Sequence, residues 1–236
     1  LCITLTAKHG NERKKLAMFL NQLTIFSFTT ILSSLLLLSM MTACASSSVP
    51  PVIFSSQYQV GDTFMGIRLH GTIELPPIKV HGIKLAELSG LSWDEDEGLL
   101  YAVSDQGNLF QLQPVITNHT LTRADLLSAY PLRDEAGKPL RPRYRDAEGL
   151  AILHGNNGIK GDSQLRISFE RIPSMALFTP TGKLLKRDTL PKPLQNVKNY
   201  VNRNKALESV TIHPQFGILT APEWPLKGNP GKIVIY

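Results

Sequence analysis

Cysteine is almost absent: Cys2 and Cys44 are the only two among 236 residues. A disulfide scaffold and a cysteine-rich zinc site are therefore excluded. Charge is missing over one long stretch, with no Asp, Glu, Lys or Arg between Lys15 and Asp62. Helical periodicity is missing nearly everywhere. Only Leu121–Tyr130, through Leu121, Leu126 and Leu127, has loose helical spacing and is expected as a helix. No Gly-x-Ser-x-Gly elbow occurs, so the usual α/β-hydrolase esterase route has no support. Ser89, Ser104 and Ser168 have no histidine near them in sequence, as seryl catalysis would need. A strong basic surplus is absent as well. Of the formal charge of +6, residues 1–43 account for half, with four of the 25 basic and one of the 19 acidic residues. The remaining 21 basic and 18 acidic side chains leave too mild an excess to imply DNA or RNA. With 42% apolar and 19% charged residues, the rest reads as ordinary globular protein, one domain with a tail.

The uncharged stretch sets the compartment. Leu23–Met41 is almost wholly apolar or small and follows the basic cluster Arg13-Lys14-Lys15, the pattern of a secretory signal, with an uncleaved membrane anchor or ordinary secretion as the alternative. Small residues then precede a cysteine, in Met41-Thr42-Ala43-Cys44, and a Ser/Pro stretch follows it. This arrangement resembles a bacterial lipoprotein signal. The resemblance implies cleavage after Ala43, lipidation of Cys44, and a membrane partner through that anchor. By the same resemblance, Ala45 rather than Asp after the cysteine implies the outer membrane if the source is Gram-negative, with the working domain in the cell envelope outside the cytoplasm. The expected organisation is a leader and signal at 1–43, a lipidated Cys and Ser/Pro tether at 44–60, and one domain at 61–236.

That domain repeats. Ser89-Gly-Leu-Ser-Trp93, Glu148-Gly-Leu-Ala-Ile152 and Glu208-Ser-Val-Thr-Ile212 start 59 and 60 residues apart and share strand alternation. A turn follows each (Asp94–Gly98, His154–Asp162 and His213–Gly217), then a second strand that ends on an acid: Asp105, Glu170 or Glu223. Paired strands recurring at this period predict an all-β, β-propeller-like domain, with about three units of 60 residues present. Three such units do not close a ring, and Lys232–Tyr236 reads as a strand with no partner, so the propeller is expected to be incomplete. Propeller blades set their innermost strands around a channel, so matching acids would ring one of its mouths.

Five segments in order carry a further resemblance: Glu87-Leu-Ser-Gly-Leu-Ser-Trp-Asp94, Leu100-Tyr-Ala-Val-Ser-Asp105, Arg145-Asp-Ala-Glu-Gly-Leu-Ala151, Ile167-Ser-Phe-Glu-Arg171 and Asn204-Lys-Ala-Leu-Glu-Ser-Val210. Together they resemble the "esterase-like activity of phytase" family over roughly residues 66–236. The resemblance implies a propeller-like domain and phosphoester- or ester-hydrolase activity, with little about substrate. Ser209 departs from the glycine more usual at its place, and Arg171–Ser174 is a compressed form of its segment.

The residues themselves suggest a chemistry. Asp105, Asp146, Glu148, Glu170, Glu208 and Glu223 are hard oxygen ligands of the kind that suits calcium. Arg145, Arg171 and Lys205 lie beside them and can grip phosphate oxygens. The assignment is Glu148, Glu170, Arg171 and Lys205 as catalytic groups and Asp105, Asp146, Glu208 and Glu223 as Ca²⁺ ligands, hydrolysing a phosphorylated small molecule by water. Strand caps and structural ion pairs are the alternative reading of the same residues. A non-catalytic lipoprotein that binds a ligand or envelope partner is the alternative function. His154 and His213 are expected as exposed turn residues, Asp94–Gly98 as a solvated turn, Trp93 and Trp224 as blade core with a loop-lining place as the alternative for Trp224 between Pro222 and Pro225, and Lys183–Arg203 as a solvated basic loop with an anionic-ligand or membrane-surface patch as the alternative.

Overall fold

Alternating and fully apolar runs both become strands in the computed structural model, which describes residues 47–49, 51–75 and 78–236. Ala43, Cys44 and the apolar run Leu23–Met41 lie outside the described residues. Short strands come first: β1 (Ser47–Val49), the hairpin β2 (Thr63–Phe64) and β3 (Ile67–Arg68), and the hairpin β4 (Lys79–Val80) and β5 (Ile83–Lys84). A meander of β6 (Leu88–Asp94), β7 (Leu99–Ser104), β8 (Asn108–Thr117) and β9 (Thr120–Pro131) forms the first large sheet. The second is β10 (Ala147–Leu153), β11 (Gln164–Phe169), β12 (Ser174–Phe178) and β13 (Leu184–Asp188). The third pairs β14 (Leu207–His213) with β15 (Gly217–Pro222). Every pairing within these three sheets is antiparallel between sequence neighbours, except that β1 adds to the outer edge of β9. The first strands β6, β10 and β14 lie side by side in that order. The chain is an all-β, propeller-like protein with three successive blades, as the repeat predicts.

Two apolar layers lie between the blades. Tyr101, Val103 and Leu109 of the first pack with Leu165, Ile167, Phe169 and Phe178 of the second. Ala151 and Met175 of the second pack with Leu207 and Val210 of the third, closed by Leu194 and Tyr200 from the intervening loop. A strand covered on both faces reads as an unbroken apolar run, as β7 does from Leu99 to Val103, whereas β11 alternates in sequence and still buries Leu165–Phe169, Arg166 through its pair with Asp188.

Glycine sets how closely the inner strands approach. A Cβ on Gly90 would stand 2.8 Å from the Glu148 carbonyl oxygen and 2.9 Å from the Leu150 nitrogen. One on Gly149 would stand 2.6 Å from both Ser168 Oγ and the Val210 nitrogen. A side chain cannot fit at either place, so each glycine is where one blade seats its neighbour.

Several expectations are corrected. The helix expected at Leu121–Tyr130 is strand β9. Ala124, Leu126 and Ser128 are buried at every second position while Arg123 and Leu127 are exposed, and ten of the twelve residues pair along β8. Tertiary pairing overrides the weak helical spacing. Lys232–Tyr236 is not unpaired throughout, because Tyr236 exchanges backbone hydrogen bonds with Thr220 at 2.9 and 3.0 Å. Trp93 on β6 is 44% exposed rather than core, and Trp224, 50% exposed, takes its alternative place in the loop after β15. The acidic turn Asp94–Gly98 is not merely solvated: Asp96 accepts from the amides of Asn157 and Gly158 at 2.8 and 3.0 Å, and Glu97 from Gly161 at 2.7 Å. Fully buried Asp94 takes the Ser163 hydroxyl at 2.6 Å. That turn clasps the next blade. The basic stretch Lys183–Arg203 is partly strand β13, where Arg187 pairs with Glu135 at 2.7 Å and Asp188 with Arg166 at 2.8 Å. Within the segment read as tether, Ser47–Val49 runs antiparallel to Leu126–Ala124.

Candidate functional site

A single local pattern, used three times, builds the site. The first strand of each blade carries a bulge near its start, at Leu88/Gly90, Ala147/Leu150 and Leu207/Ser209. The acid that ends the second strand then ties its amide to the residue just before the first strand. Asp105 donates to the Glu87 carbonyl (3.2 Å), Glu170 to Asp146 (2.9 Å) and Glu223 to Ala206 (2.8 Å). Bulges re-aim side chains at the ends of strands, and here the same end of each blade is equipped with acids.

The structure brings five of the six predicted acids together. Asp146, Glu148 and Glu170 form one group and Glu170, Glu208 and Glu223 a second, each with ligand atoms within 4.8 Å of one another. Glu170 belongs to both. Its Oε1 accepts from the Ala206 amide at 3.1 Å, carrying it from the second blade to the start of the third. Asp105 lies outside both groups, beside Glu87 and Gln106, with its Oδ1 buried and unpaired. Burial and then the Glu87 charge raise its pKa. Glu87 occupies in the first blade the place of Asp146 in the second, and the repeat alignment could have singled it out.

The predicted basic residues sit on these acids. Arg171 Nε is 3.0 Å from Asp146 Oδ2, with its own side chain half exposed. Lys205 Nζ pairs with Glu223 Oε1 and lies 5.6 Å from the centre of the Trp224 ring. Arg145 instead bonds Gln106 Oε1 at 2.9 Å. Ser168 Oγ is buried under the Gly149 amide at 2.9 Å, Ser104 Oγ is buried without a partner, and His213 Nδ1 accepts from the amide of Gln215 in its own turn at 3.1 Å. His154 sits in its turn with φ 62°.

Electrostatics separate this group from ordinary strand caps. Burial, then Glu208, Glu170 and Asp146, push Glu148 up to about 7. Glu170 is raised by burial and by Asp146, Glu208 and Glu223 in spite of the Ala206 amide. Glu208 is raised by burial and by Glu223, against the opposing pull of Lys205. Acids crowded this way lack a positive partner for all their charge, and two overlapping sets of carboxylate oxygens are the donor chemistry of a hard divalent cation. The residues therefore fit a metal centre.

Glu148 also has a stability consequence. The folded chain holds its proton up to about pH 7, whereas an ordinary glutamate releases it near 4.5. Between those values the folded state binds more protons than the unfolded one, so stability falls as pH rises through the window. In chelator at pH 8, Glu148→Gln is expected to raise stability by on the order of 1 kcal/mol, about 2–4 °C in Tm. Thermal denaturation at pH 5 and pH 8 checks this, and the gain must shrink at the lower pH.

Residues 83–234 match the family described as Phytase-like: Esterase-like activity of phytase, well over half of the chain. The chain belongs to that family. No curated protein matches the sequence. Among solved structures, the Pan2 WD40 domain of Neurospora crassa is similar at 14% identity and a TM-score of 0.29, over 62% of this chain and 49% of that one. The present chain thus spans about half the length of that domain. The match to the phytase-like family takes in all three blades, from β5 through β15, and every acid of the two groups.

Proposed function

We propose that this phytase-like protein is a phosphoester hydrolase, anchored outside the cytoplasm through a lipid on Cys44, and that its two acid groups hold Ca²⁺. The observation that carries the reading is the convergence of Asp146, Glu148, Glu170, Glu208 and Glu223 beside Arg171 and Lys205. Asp146, Glu148 and Glu170 would hold one ion, and Glu170, Glu208 and Glu223 a second. A bound cation offsets phosphate charge and lowers the pKa of a nearby water.

The chain's own groups supply the rest. Arg171, half exposed, can leave Asp146 to fork onto phosphate oxygens, and Lys205 contributes a point charge. Glu148, whose carboxylate a bound cation would keep ionised, would take a proton from the attacking water as the new P–O bond forms and the ester P–O bond breaks. The leaving alkoxide then takes up a proton from solvent. A soluble phosphomonoester is the expected substrate class.

Phosphate release from a panel of phosphomonoesters tests this. Activity is expected with calcium and is lost in chelator. Arg171→Gln is expected to lower kcat/KM by roughly 10- to 100-fold, the equivalent of one charged hydrogen bond. A ligand-binding propeller without catalysis is the second reading, favoured by the ion pairs that already neutralise Asp146 and Glu223. No phosphate release by a folded protein that binds calcium would select it.

A further inference from the structure

The repeat places one more side chain at the mouth of the acid groups. In each blade one residue follows the acid that ends the second strand: Gln106 after Asp105, Arg171 after Glu170 and Trp224 after Glu223. Gln106 lies beside Asp105 and holds Arg145 at 2.9 Å, and Arg171 pairs with Asp146 at 3.0 Å, so this position faces the acids. The third blade departs from the others twice. Ala206 stands where the first two carry Glu87 and Asp146, and an indole stands where the second carries Arg171. An ion pair in the second blade is thus replaced in the third by an alanine and a flat apolar ring. The cation there, Lys205, comes from the segment before β14. It pairs with Glu223 Oε1 and lies 5.6 Å from the centre of that ring.

The backbone on either side of Trp224 is pinned while the ring itself is half exposed. On one side Pro222 is buried and the Glu223 amide is tied to the Ala206 carbonyl at 2.8 Å. On the other, Leu226 is buried with Leu194 and Tyr200, and the Lys227 amide bonds the Asn199 carbonyl at 2.9 Å. Pro225 further confines Trp224 to extended backbone. A lone exposed aromatic is ordinary on a protein surface. Trp93 is such a residue, 44% exposed and five positions along β6 from Leu88, about 16 Å from the acid end at a strand's rise. Trp224 differs, because the acid before it and the cation beside it both belong to the site. A ring already held in place loses little freedom when a ligand covers it.

We propose that Trp224 is a specificity-determining residue that stacks on the leaving group, and that the substrate is an aryl phosphomonoester. The inference rests on the phosphoester site proposed above and adds what the ester carries. A phosphate gripped by Lys205 lies within hydrogen-bond reach of Nζ, and 5.6 Å separate Nζ from the indole centre. A ring one oxygen away from that phosphorus comes within the range of stacked aromatics, about 4.5–7 Å between centres. A small alkyl alcohol leaves the indole uncovered. The chemistry agrees with the geometry. The water oxygen bonds phosphorus and gives its proton to Glu148, while the ester P–O bond breaks with its electron pair going to the aryl oxygen. That oxygen has only solvent to protonate it. A phenol ionises at about pH 10, as tyrosine does, so a phenolate departs without the neighbouring acid that an alkoxide needs.

The test uses the full chain in calcium, carrying Trp93→Phe so that Trp224 is the only tryptophan. Phenyl phosphate and glycerol phosphate are compared as substrates, and phenylphosphonate and methylphosphonate as ligands that cannot be hydrolysed. Phenylphosphonate is expected to shift the Trp224 emission to the blue in a saturable way, whereas methylphosphonate leaves its maximum in place. Trp224→Ala is expected to lower kcat/KM for phenyl phosphate by about 10- to 100-fold, mainly through KM, and that for glycerol phosphate by less than about twofold. Trp224→Phe, which keeps a ring, restores most of the loss. Equal losses on both substrates make Trp224 a structural residue, which overturns the proposal and leaves the hydrolase standing. An emission shift without phosphate release from either substrate supports the stacking site and overturns the hydrolase. Emission that phenylphosphonate does not move overturns the stacking site, whatever the chain hydrolyses.

Discussion

Gly149→Ala is expected to destabilise the protein by about 1–3 kcal/mol or more, the cost of overpacking a close-fitted contact. The new methyl would stand 2.6 Å from Ser168 Oγ, 2.6 Å from the Val210 nitrogen and 2.9 Å from the Ser209 carbonyl carbon. Two of those three atoms are backbone of the adjacent blade, so relief requires the second and third blades to part. The third contact, Ser168 Oγ, accepts the Gly149 amide at 2.9 Å and is fully buried, so turning it away strands a buried donor. The effect should extend past stability, because Glu148 and Glu208 flank this contact from neighbouring blades. Urea denaturation with two-state analysis gives the size of the loss. Gly98→Ala is the comparison: its φ of 68° strains any side chain, but no atom lies within 4 Å of the new Cβ. An effect at Gly149 no larger than at Gly98 would sink the interblade explanation.

Glu170→Gln is expected to lower phosphoester hydrolysis by at least about 100-fold, beyond the 10–100-fold that loss of an outer-shell partner of a metal produces. Glu170 alone belongs to both acid groups, so one substitution removes a charged ligand from each. The amide is the same size and its oxygen can still accept the Ala206 N–H, which preserves the bridge between blades. Because Glu170 is crowded by Asp146, Glu208 and Glu223, losing its charge relieves repulsion, and the metal-free variant is expected to be at least as stable as the parent. Loss of activity with retained or raised Tm is therefore the signature. Loss of activity that tracks loss of fold would reduce Glu170 to a structural cap.

Much of this was legible in the sequence. The 59- and 60-residue spacing of three strand motifs located β6, β10 and β14, and the acids that end each second strand proved to occupy one repeated position. What the repeat could not show is how the blades rotate relative to one another. That rotation brings Glu170, Glu208 and Glu223 within reach and leaves Asp105 with Glu87. Leu121–Tyr130 misled because its leucines fit a helix as loosely as a strand, and only the long partner β8 decides between them. Trp93 misled for a related reason: a large aromatic on an alternating strand predicts burial, but which face is covered depends on which blade packs there. The acidic turn at Asp94–Gly98 looked solvated because its partners, the amides of Asn157, Gly158 and Gly161, lie some sixty residues away. Backbone donors leave no trace in a sequence.

The most direct test of the central claim is a calcium titration by calorimetry on the full chain stripped of metal, with Glu170→Gln alongside. Binding in the micromolar range, releasing protons at pH 6.5 where Glu148 is still largely protonated and abolished by Glu170→Gln, is the result this account predicts. A folded protein that takes up no calcium, or binds it equally well without the Glu170 charge, would contradict it.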